Sequence, residues 1–260
     1  MTEGRPPAAG KASPPVMIVT GGGRGIGAAT ARLGAERGYA VCVNYLRDSA
    51  SAQGVVDAIA KAGGKAIAVA GDVAREDDVV RLFDTTQAKL GPVTALVNNA
   101  GILGRQTRLD DMDAERIVRV FATNITGSVL CAREAVRRMS KRHGGGGGAI
   151  VNVSSMASTL GSPGEYVDYA ASKGAIDSFT IGLAREVADE GIRVNAVRPG
   201  VIYTEIHASG GEAGRVDRVK SAVPMKRGGE PEEVARAILW LLSDEASYST
   251  GAFIDVSGGR

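Results

Sequence analysis

A short β-branched run, Val16–Thr20, passes directly into Gly21-Gly22-Gly23-Arg24-Gly25-Ile26-Gly27 and then into the small, helix-favouring Ala28-Ala29. A strand, a glycine turn and a helix start in that order commit the chain to a βα unit whose turn carries almost no side chains to hold a ligand away. Backbone N–H groups at the start of such a helix face an anion, and the helix dipole favours a pyrophosphate there. The spacing is G-x-x-x-G-x-G rather than G-x-G-x-x-G, and the Gly-Lys-Ser/Thr ending of a triphosphate loop is missing. Taken alone, the motif also fits a turn packed on a sheet with no ligand.

The rest of the chain repeats the βα alternation. Strands are predicted at Val16–Thr20, Ala40–Asn44, Ala66–Ala70, Ala95–Asn98, Ala149–Val153, Arg193–Val197 and Ala252–Val256. Helical patterns fill the gaps at Ile26–Arg37, Ser51–Ala62, Glu76–Lys89, Ala114–Lys141, Tyr169–Ala188 and Pro231–Leu242. Short strands separated by helices point to an α/β fold with a parallel sheet covered on both faces. Residues 1–15, rich in Pro, Ala and Gly, read as a loose tail, and residues 16–260 as one domain. Gly144–Gly148 reads as a floppy connector, and Glu205–Pro224 as a lid or substrate loop, being longer than ordinary connections.

Composition narrows the function. Thirty-one basic against twenty-nine acidic side chains give a net charge of +2, too little to imply nucleic acid or a membrane surface as partner. No apolar run approaches a membrane span, and the first residues lack the centre of a signal peptide, so a cytoplasmic location is expected. Cys42 and Cys131 are far apart and have no neighbours at metal-ligand spacing, so no metal site is expected. Both read as small buried apolar residues.

Further motifs follow in order: Asp72-Val73, Asn98-Asn99-Ala100-Gly101, Asn124, Ser154-Ser155, Tyr169-Ala170-Ala171-Ser172-Lys173, Asn195, and Arg198-Pro199-Gly200. As a series they resemble the short-chain dehydrogenase/reductase family over residues 16 to 259. The resemblance implies a doubly wound, Rossmann-type sheet of seven parallel strands in the order 3-2-1-4-5-6-7. It also implies an oxidoreductase that moves a hydride between a nicotinamide dinucleotide and a small carbonyl or alcohol substrate. Within that reading a 3-oxoacyl thioester reductase, a sugar 1-dehydrogenase and a general ketone reductase stay open. The rival from another class is a catalytically idle dinucleotide-binding sensor or scaffold.

The same resemblance assigns residues. Gly21, Arg24, Gly25, Ile26 and Gly27 would line the pyrophosphate and adenosine ribose, and Asp72 and Val73 would contact adenine. Asn98, Ala100 and Gly101 would sit behind the cofactor, and Pro199, Gly200, Ile202 and Thr204 would bracket the nicotinamide carboxamide. An acidic side chain at the end of the second strand accepts hydrogen bonds from the NAD ribose and repels the extra phosphate of NADP. Tyr45 occupies that position here, and Arg24 and Arg47 offer guanidinium groups to a phosphate, so NADP(H) is preferred with NAD(H) possible.

Tyr169 and Lys173 lie four apart on a predicted helix, hence on one face. An adjacent ammonium favours phenolate and is expected to lower the tyrosine pKa from about 10. The resemblance makes Tyr169 the general acid for carbonyl reduction, or the base for alcohol oxidation, and has Lys173 hold the ribose hydroxyls as well. Ser155 would donate to the substrate oxygen, with Ser154 in reserve because Ser155 lies fourteen residues before Tyr169, one more than is common in the family. Asn124 would anchor a water linking Lys173 to solvent. Helices Ala114–Lys141 and Tyr169–Ala188 would pair across twofold axes in a homotetramer or homodimer. His207 is a weaker candidate for substrate contact, and Arg105 and Arg108 for meeting an anionic substrate. His143 reads as a solvated cap and Trp240 as packing on the apolar stripe of the last helix.

Overall fold

The computed structural model describes residues 14–260, so most of the expected tail, residues 1–13, lies outside the described residues. The strands are β1 (Val16–Val19), β2 (Ala40–Tyr45), β3 (Ala66–Ala70), β4 (Val93–Asn98), β5 (Gly148–Val153), β6 (Ile192–Pro199) and β7 (Phe253–Val256). They form one sheet in the order β3-β2-β1-β4-β5-β6-β7, every neighbouring pair parallel. The major helices are α1 (Gly25–Glu36), α2 (Ser49–Lys61), α3 (Glu76–Leu90), α4 (Ala114–Phe121) and α5 (Gly127–Met139). They continue with α6 (Ala157–Leu160), α7 (Val167–Glu186), α8 (Ile206–Ser209), α9 (Arg215–Val219) and α10 (Pro231–Leu242).

Strands buried on both faces need two apolar layers, and the structure has two. One packs Val16, Ile18, Cys42 and Leu96 against Leu82, Phe83, Cys131 and Ala184. The other packs Met17, Val41, Val97 and Val151 against Ala31, Val55, Ile238 and Leu239. The strands are accordingly near-continuous apolar runs, as parallel sheets require. Cys42 and Cys131 lie in the first layer, and burial pushes both thiols up to about 12.

Three expectations are corrected. The helix expected over Ala114–Lys141 is divided by a π segment, Ala122–Thr126. Its one extra residue turns Asn124 fully inward, where the carboxamide exchanges hydrogen bonds with the backbone of Ile102. Trp240 is 37% exposed, because it lies two residues, or about 200° of helix, from the buried Ile238.

The five-glycine tract is a packed turn rather than a floppy connector. Gly147 donates to Met139 O at 2.7 Å and Gly148 to Gly191 O at 3.0 Å. A Cβ on Gly147 would lie 2.6 Å from Gly191 O, and the residue holds φ +87°. Gly146, by contrast, has open space around it. Gly147→Ala should therefore cost at least about 1 kcal/mol, a fall of roughly 2–4 °C in Tm, while Gly146→Ala leaves Tm nearly unchanged. Thermal denaturation of the two variants checks this, and equal Tm values would refute the packed-turn description.

Candidate active site

A cleft of about 880 Å³ opens at the carboxyl ends of the strands. Its position follows from topology. The chain leaves β1 toward β2 on one side, and β4 lies on the other, so the loops after β1 and β4 part and leave a crevice.

The glycine turn forms its floor. Gly21 holds φ +60° and Gly25 φ +52°, conformations that side chains disfavour. Thr20 Oγ1 accepts from the N–H groups of Asn99 and Ala100, both at 3.0 Å. Asn99 Nδ2 donates in return to Thr20 O at 2.8 Å and Gly21 O at 3.0 Å. On the other flank Asn44 Oδ1 accepts from Gly21 N at 3.3 Å, while its Nδ2 donates to Val69 O and Gly71 O. The turn is thus held by three strands. The start of α1 has no side-chain cap and no acidic residue in its first turn, so its free N–H groups suit a pyrophosphate. Gly27 does not line the cleft; a Cβ there would lie 2.5 Å from Gly21 O, so its role is to let the helix close on the turn.

Tyr45 at the end of β2, Arg47 just after it, Arg24 in the turn, and Asp72 and Val73 after β3 line one half of the cleft. Arg24 and Arg47 are exposed, and among the described residues neither guanidinium forms an ion pair. Asp48 turns its carboxylate to the start of α2, accepting from Ser51 N at 3.0 Å and Ser51 Oγ at 2.6 Å. Asp72 Oδ1 accepts from Ala74 N at 2.9 Å. Ala100 and Gly101 line the middle, whereas Asn98 stands behind the wall, donating to Asn152 Oδ1 and Ser128 O.

The other half is built from β5, α7 and the segment after β6. Pro199, Gly200, Ile202 and Thr204 line it, and a Cβ on Gly25 would lie 3.1 Å from Thr204 Cγ2, so this segment reaches the glycine turn. Ser155 faces the cleft and accepts from Ala157 N at 3.1 Å. Ser154 is buried and donates to Asp177 Oδ1 at 2.6 Å.

Tyr169 and Lys173 share one face of α7 and both line the cleft. Lys173 is buried, donates from Nζ to Val153 O at 2.6 Å, and lies 5.6 Å from the centroid of the Tyr169 ring. Asn124 stands behind it, with Nδ2 donating to Ser172 Oγ at 3.0 Å. The expected direction of the tyrosine pKa is reversed. Burial pushes the Tyr169 phenol up to about 12, with the Ser155 hydroxyl acting in the opposite direction. Burial also lowers Lys173 to about 8, opposed by Asp177. The ammonium is engaged with a carbonyl and lies over the ring, so desolvation dominates at the phenol.

Arg105 and Arg108 are exposed and do not line the cleft, and Arg108 pairs with Asp110 at 3.1 Å. Sequence reasoning missed two further arginines that line the cleft besides Arg24 and Arg47, namely Arg215 and Arg218, together with Glu165 and Tyr166. Their signal lay in the mixed charge of the 205–224 insertion and in the extra residue before Tyr169. His207 lines the same region.

A family model described as Enoyl-(Acyl carrier protein) reductase matches residues 21–260. The chain is 62% identical to the uncharacterized oxidoreductase YgfF of Escherichia coli (strain K12), over 94% of this chain and 99% of that protein. It is 40% identical to glucose 1-dehydrogenase 2 of Bacillus subtilis (strain 168), over 93% of each. A solved mutant of a Serratia marcescens short-chain dehydrogenase/reductase superposes with a TM-score of 0.86 at 31% identity, covering 94% of this chain and 97% of that one. The chain belongs to the short-chain dehydrogenase/reductase family. It is an oxidoreductase of CH–OH and C=O groups in a family that binds NAD(P)(H), which sets aside the idle sensor or scaffold.

Tyr169 is half-buried, and the desolvation of its phenol has a direct consequence in solution. The difference in ultraviolet pH titration between wild type and Tyr169→Phe, measured without dinucleotide, should show this phenol ionising well above pH 10. Ionisation below pH 9 would contradict the desolvated environment.

Proposed function

We propose that the chain is an NADP(H)-preferring oxidoreductase in which Tyr169 is the general acid for carbonyl reduction and the base for the reverse reaction. The observation that carries this reading is the convergence of Tyr169, Ser155 and Lys173 in one cleft with an uncapped helix start and a side-chain-free turn. The residues fit a dinucleotide. Gly21 and Gly25 leave the turn open to a pyrophosphate, Asp72 and Val73 flank an adenine, and the Pro199–Thr204 segment flanks a nicotinamide carboxamide.

A nicotinamide held by these residues would supply the hydride for reduction, or accept it for oxidation. Ser155 donates a hydrogen bond to the substrate oxygen, where negative charge develops. Tyr169 Oη delivers the proton to that oxygen; a phenol held neutral by burial is in the form reduction requires. Lys173 holds the ribose hydroxyls and, when the oxidised ring adds its positive charge, favours the phenolate in the oxidative direction. Asn124 keeps the π segment against Ile102 and orders the route from Lys173 toward solvent.

Three features support NADP(H). Tyr45 stands where an acid would repel a 2′-phosphate, Arg24 and Arg47 face the cleft without ion-pair partners among the described residues, and Asp48 is occupied as a helix cap. Exposed Val118, Val129 and Ile181 on α4, α5 and α7 support pairing of these helices in a homotetramer or homodimer. The small net charge and the two buried free cysteines support a cytoplasmic protein acting on a small molecule, without nucleic acid or membrane as partner. Among the described residues, no helix is long and apolar enough to cross a membrane.

Tyr169→Phe should lower turnover by about 10²–10⁴-fold and leave dinucleotide binding largely intact. Steady-state kinetics with calorimetric titration checks this, and substantial retained turnover would overturn the acid assignment. Calorimetry at one ionic strength should also give tighter binding of NADPH than NADH, and Arg47→Ala should narrow that gap. NADH binding at least as tight as NADPH would refute the preference.

A further inference from the structure

Five buried side-chain polar atoms among the described residues lack a hydrogen-bond partner, and three belong to residues that line one end of the cleft: Tyr166 Oη, His207 Nδ1 and Arg215 Nη1. Such atoms are scarce in folded proteins, because a buried polar group left unpaired has lost its water without gaining a partner. Three around one cavity end mark a place that a ligand completes.

Each atom specifies what it needs. Tyr166 is 3% exposed, so its hydroxyl cannot turn to water; the neighbouring Gln106 carboxamide falls outside hydrogen-bond geometry and gives its Nε2 to Glu212 Oε2, and Gly210 adds no side chain beside Oη. His207 Nε2 lies 3.1 Å from Ile202 O. A carbonyl only accepts, so Nε2 carries the proton and Nδ1 presents a bare lone pair. Burial lowers the imidazole pKa below its usual range, which keeps that neutral tautomer. His207 Nδ1 therefore needs a donor, while Arg215 Nη1 needs an acceptor. Arg215 crosses the Tyr166 ring at 5.1 Å and donates from Nη2 to Glu165 Oε2 at 2.5 Å.

Charge restricts the ligand further. Arg218 donates to Glu212 and Glu165, and Arg215 Nη1 lies 3.7 Å from Glu212 Oε2 without hydrogen-bond geometry. Two guanidiniums and two carboxylates cancel. An anionic substrate would have to displace a glutamate and would still face the Nδ1 lone pair. A plain acyl chain would leave all three atoms unpaired. Leu103, Leu160 and Ile206 line the same cleft and offer it an apolar wall.

We propose that Tyr166, His207 and Arg215 determine substrate specificity, and that the substrate is an uncharged molecule bearing at least one hydroxyl besides the reacting oxygen, with an apolar edge. A hydroxyl both donates to Nδ1 and accepts from Nη1 or Oη, which no purely apolar or anionic group does. This rests on the dehydrogenase reading above.

The test uses the full-length enzyme with NADPH or NADH to reduce aldoses, cyclohexanone as a probe without a second hydroxyl, and acetoacetyl-CoA as an anionic thioester, and with NADP+ or NAD+ to oxidise aldoses, polyols and cyclohexanol. The best hydroxylated probe should have the highest kcat/KM. Tyr166→Phe and His207→Leu should each lower the ratio of its kcat/KM to that of the cyclohexyl probe by at least about tenfold, chiefly through KM. Calorimetry of dinucleotide binding by each variant reports folding independently. Preference for the thioester or the cyclohexyl probe, absence of turnover with every hydroxylated probe, or an unmoved ratio in either folded variant would overturn the proposal. Failure of the wild type to bind either dinucleotide would instead bring down the dehydrogenase reading itself.

Discussion

The mutual hydrogen bonding of Thr20 and Asn99 holds the cleft together. Each supplies what the other's backbone lacks where β1 and β4 diverge: Thr20 Oγ1 receives two N–H groups, and the Asn99 carboxamide gives two hydrogens to the carbonyls of the glycine turn. A turn made almost wholly of glycine is entropically costly to order. Tying it to two neighbouring strands removes that freedom while leaving its N–H groups unobstructed. The rest of the site is measured from this frame: α1 starts from the turn, and Thr204 closes on it from the far side.

Across the cleft the governing effect is desolvation. Lys173 and Tyr169 sit on one helical face, but burial rather than their mutual attraction sets the resting protonation, raising the phenol and lowering the amine. The proposed chemistry then depends on direction. A neutral phenol is ready to give a proton during reduction, whereas oxidation needs the added positive charge of the oxidised ring before the phenolate becomes accessible.

Much of this was readable in the chain. The alternation of short apolar runs with helical patterns led to the parallel strands, and the family resemblance carried by the motif series implied their order. Other features needed three dimensions. The π segment at Asn124 leaves no trace in helical periodicity; Thr123, Asn124, Thr126 and Gly127 are weak helix formers, but weak propensity does not mark where an extra residue enters the helix. The five glycines gave no sign of the backbone pressed against them from Met139 and Gly191, which are neighbours in space only. Arg105 and Arg108 looked placed for a substrate by sequence, yet the loop carries them outward. Glu165, Tyr166, Glu212, Arg215 and Arg218 come together only because the turn before α7 meets the segment after β6.

The most direct measurement of the central claim is a crystal structure with NADPH bound. The account predicts the pyrophosphate over the glycine turn, the nicotinamide ring beside the Pro199–Thr204 segment, and the Tyr169 hydroxyl facing the ring within reach of a substrate carbonyl oxygen. A dinucleotide bound elsewhere, or a Tyr169 hydroxyl directed away from the ring, would contradict it.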